Sequence, residues 1–283
     1  MSVEHLRYDE LCFKASHNSI DRGAAIRRAA AGDPGNERCA AIVEQLSGSG
    51  GLVEPCRALE LDLVQADGSF QWTVKHGLRD DGPDLRDVLG AIAGWARAPE
   101  NARHPVVTIH FDLKNAHLAH TDFATTFDAM LEEIFESKRI YGPGEVIGSH
   151  ENLVRGARNG GWAIFARLRG RFIFCLSGNS KRKTRYARHD PRARRCFADF
   201  PGSRGARRKG HRVFANLFVD AAGYPQSLDR YRRHPGFITR GYNIVTRRLW
   251  NLSVDRGLNV LSTDILKDRD LSLGGNGYAP LAR

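Results

Sequence analysis

Apolar and polar positions along this chain follow two periods that take turns. Residues 11–16 (LCFKAS) read as a strand ending at His17, and 37–46 show helical spacing that stops at the run SGSGG. Residues 57–64 (RALELDLV) predict a strand with a turn at 66–68, and 70–75 a further strand ending at His76 and Gly77. Pro83 suits the first position of a helix reaching residue 97. The segment 105–113 (PVVTIHFDL) is strongly strand-like, and 121–138 places Phe123, Phe127, Met130, Leu131, Ile134 and Phe135 on one helical face. Later strands are predicted at 171–176, 213–219, 236–239 and 258–262, with a helix over 244–254 between the last two.

Strand-then-helix order repeated along a chain implies a parallel sheet. About eight such units in 283 residues predict an α/β protein: a single (β/α)8 TIM-type barrel over 1–283, without a dividing linker. One segment breaks the rhythm. Residues 180–209 carry KRKTRYARHDPRARR and SRGARRK, and read as a basic loop excursion, solvated and mobile. On a barrel this loop would lie on the face where such enzymes work, so it is also a surface for anionic lipid or substrate phosphate. Tyr186 and Phe197 among its arginines could stack on bases, but no nucleic-acid motif accompanies them.

Composition narrows the picture. Hydrophobic residues make up 41%, enough for a sizeable core, and no apolar run is long enough for a membrane span. Lys and Arg number 43 against 32 Asp and Glu, a net charge of +11 that favours an anionic partner. The five cysteines are odd in number, with no CxxC pair, which argues against a disulfide framework or a zinc site and for reduced, buried thiols. The N-terminus has no apolar signal segment, so a cytoplasmic protein is expected; removal of a signal, or export without one, would make it secreted or membrane-peripheral.

The informative polar residues fall at strand ends. His17 and Asn18 follow the first strand. Glu60 and Asp62, two apart, share one face of the second. His76 ends the next, and Asp112 and Lys114 close the one after. Carboxylates aimed into a barrel are costly unless paired or bound to a cation. Asn18, Glu60, Asp62 and Asp112 are oxygen ligands, a set that suits Ca²⁺ or Mg²⁺ better than zinc. Two flanking histidines, His17 and His76, fit acid–base catalysis at phosphorus, with Lys114 countering charge on the substrate phosphate. Each piece has a plain structural alternative; the order SHNS, LELD, KHG, HFDLK is what sets them apart. Asp264, after the last strand, sits at the catalytic mouth of a barrel but reads more simply as a helix cap; Arg79 could reach a phosphate but reads more simply as a surface residue, and Arg167, Arg169 and Arg171 as solvent-facing.

This ordered set resembles the phospholipase C-like phosphodiesterase superfamily, and within it the calcium-dependent phosphatidylinositol-specific phospholipases C. The resemblance is most specific over residues 9–115 and continues weakly through RGRFIFCLSG and GLNVLSTDIL. It implies a distorted TIM barrel, with His17 as base, His76 as acid, and Asn18, Glu60, Asp62 and Asp112 holding Ca²⁺. The inositol 2-hydroxyl would attack phosphorus, giving diacylglycerol and a cyclic inositol phosphate. Two features pull apart. Asp112 stands where the family often has glutamate, and FDLK is more similar to sphingomyelinase D and the glycerophosphodiester phosphodiesterases, which would use Mg²⁺; Asn18 after the first histidine points back to phospholipase C. A third reading, of another class, is a non-catalytic barrel that binds anionic lipid or nucleic acid. It has no need of an acid–base pair.

Overall fold

Strands in this protein are buried on both faces, as a closed parallel sheet requires. In β4 (Val107–Leu113), Val107, Ile109, Phe111 and Leu113 pack outward against helices. The alternate residues Thr108, His110 and Asp112 point the other way, into the barrel. In β2 (Ala58–Gln65), Leu59, Leu61 and Leu63 face out, which leaves Glu60 and Asp62 facing in. The computed structural model describes residues 2–21, 34–66, 69–76, 82–115, 120–178, 180–201, 210–220, 228, 231 and 234–282. The expected turn at 67–68, Gly77, Arg79 and residues 202–209 of the basic segment lie outside them.

Eight parallel strands form the barrel. Besides β2 and β4 these are β1 (Leu11–Ser16), β5 (Phe172–Gly178), β6 (Cys196–Pro201), β7 (Phe214–Phe218), β8 (Ile238–Tyr242) and β9 (Val260–Thr263). They pair in that order, and β9 returns to β1 through Phe13↔Val260 to Ser16↔Thr263. The expected (β/α)8 barrel is therefore present, and its distortion has a place. The β1–β2 ladder is a single pairing, Ala15↔Ala58. Below it β10 (Tyr278–Pro280) runs antiparallel along the free edge of β1. Glu54, buried beside Lys14 at 3.6 Å, accepts the backbone N–H groups of Leu273 (2.8 Å) and Gly275 (2.9 Å) and so holds the chain leading into β10. At Gly277, with φ +73°, a side chain would meet the Pro55 carbonyl at 2.0 Å, so glycine is required for this close approach.

The helices that cover the sheet include α1 (Pro34–Ser47), α2 (Leu85–Arg97) and α3 (His120–Phe135) on the side of β2 and β4. After α4 (Pro143–Ile147), α5 (Leu153–Arg158) and α6 (Phe165–Leu168) come α7 (Ser180–Arg188) and α8 (Arg247–Asp255). Among the described residues no helix is long and apolar enough to cross a membrane. All five cysteines are free.

Two sequence expectations are corrected. Residues 70–75 do not supply a barrel strand: β3 (Trp72–Val74) pairs antiparallel with β2 as the outer arm of a hairpin. The strand that takes its place is β6, inside the segment read as a basic loop. That segment holds α7 and β6, and its charge has obscured both. Lys183, Tyr186 and Ala187 form the buried side of α7, at helical spacing, while Lys181, Arg185 and Arg188 face solvent. Beyond the helix, Arg194 pairs with Asp128 of α3 at 3.0 Å and Arg195 with Glu132. The basic run is thus folded against acidic partners rather than simply solvated.

Candidate active site

The C-terminal ends of the barrel strands are polar where the opposite end is apolar. Near the bottom, Tyr8, Phe13, Ile173, Phe197, Phe214, Ile238 and Val260 form one apolar cluster. Higher on the same inward faces stand Glu60, Asp62, Asp112, Ser177, Asp199, Asn216, Arg240 and Ser262. Register assembles the acidic part. β2 and β4 pair Asp62 with Asp112 directly, one step above Glu60 and His110. The oxygens of Glu60, Asp62 and Asp112 lie within 4.8 Å of one another. Gly178 makes room for them: with φ +72° at the end of β5, it leaves space that a Cβ would fill at 2.1 Å from Asp112 Oδ1.

The electrostatics of this group are compatible with a bound cation. Asp62 is 2% exposed, and its Oδ2 is buried without a hydrogen bond from the described residues. Burial pushes its carboxyl up to about 6; the charges of Glu60 and Asp112 add to this, and Lys114 opposes it. Glu60 is held below the usual carboxylate range, because Arg240 and His17 together outweigh the effect of its burial. Lys114 Nζ lies 2.9 Å from Asp62 Oδ1 and 2.5 Å from Asp112 Oδ2. Its ammonium balances the aspartates; burial works against its charge, but the two carboxylates raise its pKa all the same. Three carboxylates, an orphaned buried oxygen and a glycine cradle fit a hard divalent cation with oxygen ligands. Glu60, Asp62 and Asp112 are the residues that could hold it.

His17 is fixed at the edge of this group. Its N–H donates to the Thr263 carbonyl at 2.9 Å. The chain then turns through Asn18 in the left-handed region (φ 49°), a conformation asparagine tolerates better than most residues. Ser19 Oγ accepts the Glu60 N–H at 2.8 Å, and Gln45 donates to the Ser19 carbonyl at 2.9 Å. The imidazole Nε2 ends 3.5 Å from Glu60 Oε2, and Nδ1 lies 3.0 Å from Asp264 Oδ1. Tyr242 flanks the ring, 5.7 Å between centroids. Asn18 reaches the cluster through its main chain, whose N–H donates to Glu60 Oε2 at 3.3 Å.

His76 stands apart from the carboxylates in burial. It follows β3 and is exposed, and the N–H of neighbouring Lys75 donates to the Asp62 carbonyl at 3.0 Å. The hairpin therefore delivers His76 to the same end of the barrel as Asp62.

Several residues of this mouth are absent from the sequence-derived set. Asp264 caps no helix; it meets His17. A carboxylate directly after the last barrel strand was the available signal. Arg240, 1% exposed, reaches Glu60 Oε2 (2.9 Å), Asn216 Oδ1 (3.0 Å) and Ser262 Oγ (2.9 Å). On the far wall Asp199 accepts from Ser177 Oγ at 2.5 Å and pairs with the buried Lys183 of α7. Nothing in the local sequence marks these as inward-facing. Arg169 and Arg171 instead pair with Glu4 and Glu145, away from the mouth.

The same barrel is found in known proteins. No family model and no curated protein sequence matches this chain. Among solved structures, a calcium-dependent phosphoinositol-specific phospholipase C from Pseudomonas sp., in an apo form with myo-inositol, superposes with a TM-score of 0.71 at 14% identity, covering 98% of this chain and 96% of that one. A Ca²⁺-dependent phosphatidylinositol-specific phospholipase C from Streptomyces antibioticus gives 0.70 at 17% identity, covering 97% and 98%. A glycerophosphodiester phosphodiesterase from Parabacteroides distasonis gives 0.56 at 11% identity, covering 90% and 94%. The fold is thus that of the phospholipase C-like phosphodiesterases over the full length of the chain.

Proposed function

We propose that this protein is a cation-dependent phosphodiesterase that cleaves phosphatidylinositol-type lipids. The observation that carries the reading is the seat of His17: one ring nitrogen on Asp264, the other facing Glu60 of the carboxylate cluster, at the catalytic end of a TIM-type barrel. The myo-inositol bound by the Pseudomonas enzyme of the same fold supports the headgroup. Calcium is the proposed cation, with magnesium as the alternative. When bound at Glu60, Asp62 and Asp112, with Asn18 beside them, it would supply charge neutralisation at the phosphoryl oxygens.

The chain's own residues perform the rest. Asp264 accepts Nδ1–H of His17 and so directs the basic Nε2 lone pair toward the mouth. His17 takes the proton of the inositol 2-hydroxyl as its oxygen attacks phosphorus. The phosphorus–oxygen bond to diacylglycerol breaks, and His76 gives its proton to the departing oxygen. The products are a cyclic inositol phosphate and diacylglycerol. Phe218, the last residue of β7, and Ile265, just beyond β9, 52% and 38% exposed, present apolar surface beside the mouth, as contact with a lipid surface needs.

The FDLK stretch and the glycerophosphodiester phosphodiesterase of the same fold support a second reading, in which the substrate is a glycerol or choline phosphodiester of the kind taken by glycerophosphodiester phosphodiesterases or sphingomyelinase D. Phosphorus NMR of phosphatidylinositol vesicles, with Ca²⁺ and then with a chelator, separates the two. A cyclic inositol phosphate resonance that requires the cation is the expected result. No product from this lipid, with turnover of glycerophosphodiesters or sphingomyelin instead, transfers the protein to the second reading. Anion binding that survives in a His17→Ala variant, with no turnover of any diester by the wild type, would leave a non-catalytic barrel.

A further inference from the structure

We propose that Arg240 is a positioning residue of the cation site, locking one oxygen of Glu60 so that the other faces Asp62 and Asp112. The inference rests on the cation reading given above. Among the described residues, each hydrogen bond and ion pair of the Glu60 carboxylate falls on Oε2. Arg240 approaches it at 2.9 Å and the Asn18 N–H donates to it at 3.3 Å. Rotation of the carboxylate is thereby restricted, and Oε1 remains as the ligand oxygen.

The guanidinium suits this task because it is itself held from three strands. Asn216 of β7 and Ser262 of β9 each accept one of its N–H groups, while Tyr242 of its own strand covers it at 5.4 Å. Ser262 Oγ also lies 3.3 Å from the Ser16 carbonyl, next to His17. A planar fork of donors can span Glu60, Asn216 and Ser262 at once, which a lysine point charge cannot. The brace also crosses the weakest part of the barrel. β8 and β9 share two pairings, Arg240↔Val260 and Gly241↔Leu261, and β1 and β2 share one. Where the ladder is short, side chains must fix the distance between β2 and the β7–β9 wall. Arg240 does so at the level of the carboxylates, and a ligand displaced by a fraction of an ångström binds its ion less well.

The test is titration calorimetry with Ca²⁺ on the wild type, Arg240→Met, Glu60→Gln and the double variant, with circular dichroism to establish folding. Arg240→Met should raise the cation Kd by about 10- to 100-fold. In the Glu60→Gln background the same change should move Kd by less than about 2-fold, because its route through Glu60 is already cut. An unchanged Kd in Arg240→Met overturns the proposal, as does an equal loss in both backgrounds, which would assign Arg240 to barrel stability alone. Absence of cation binding by the wild type overturns the cation reading itself, and this proposal with it. If Arg240→Met does not fold, Asn216→Ala and Ser262→Ala remove one anchor of the guanidinium each. A several-fold weaker Kd in both supports the brace, and wild-type affinity in both rejects it.

Discussion

The carboxylate of Asp264 lies 3.0 Å from Nδ1 of His17, across 247 residues of sequence. The two sit on adjacent strand ends, because β9 closes the barrel onto β1 and the His17 N–H bonds to Thr263. A histidine so held has one tautomer favoured, with Nε2 turned toward the carboxylate cluster. Asp264→Asn keeps the shape but removes the anionic acceptor. Turnover of phosphatidylinositol should fall on the order of 10²- to 10⁴-fold with KM nearly constant, as measured by initial rates on vesicles. Wild-type turnover in this variant would mean that His17 is not the proton acceptor.

The carboxylate cluster should make stability depend on the cation. A ligand that binds only the folded state adds about 2.7 kcal/mol at 100 times its Kd. Thermal melts should therefore shift upward with Ca²⁺ and return with a chelator. Asp62→Asn should abolish most of that shift, since Asp62 Oδ2 is the buried oxygen left without a hydrogen bond from the described residues. A shift of equal size in this variant would place the ion elsewhere.

Lys114 competes with a cation for Asp62 and Asp112. Lys114→Met should tighten Ca²⁺ binding by about 2- to 5-fold, the scale of a half-exposed ion pair, while lowering turnover through loss of its charge at the substrate phosphate. Calorimetry and rate measurements on one preparation give both signs. Weaker cation binding would show that Lys114 supports the site instead of competing for it.

Asp128 gives a pH signature separate from the mouth. Burial raises its carboxyl from 3.8 to about 6, against the pull of Tyr186 and Arg194. Between those values the folded state holds a proton that the unfolded state has released. Asp128 therefore costs nothing below pH 4, and its cost grows as pH rises to about 6 and is constant above. The full effect is about 3 kcal/mol. Relative to Asp128→Asn, the wild type should lose stability across this window in urea titrations. Parallel pH profiles would show that Asp128 keeps an ordinary pKa.

The sequence by itself determined the barrel and one half of the mouth. Period-two spacing put Glu60 and Asp62 on one strand face, and the apolar alternation of β2 and β4 left only the barrel interior for it. His17 and Lys114 were legible for the same reason, as polar residues at the ends of apolar runs. The other half depended on tertiary structure. Arg240, Asp199 and Lys183 lie in or beside segments whose charge or brevity hides their period, Asn216 lies in a strand the sequence does predict, and all four become neighbours only when eight strands close into a ring. β6 shows why: its burial comes from packing against α3 and α7, and no local pattern distinguishes CFADFP from a loop beside fifteen residues of mostly basic chain. His17 could be read from β1, and Asp264 as a carboxylate just after the last strand, but that the two meet could not, since that contact is made by barrel closure and not by anything near either in sequence.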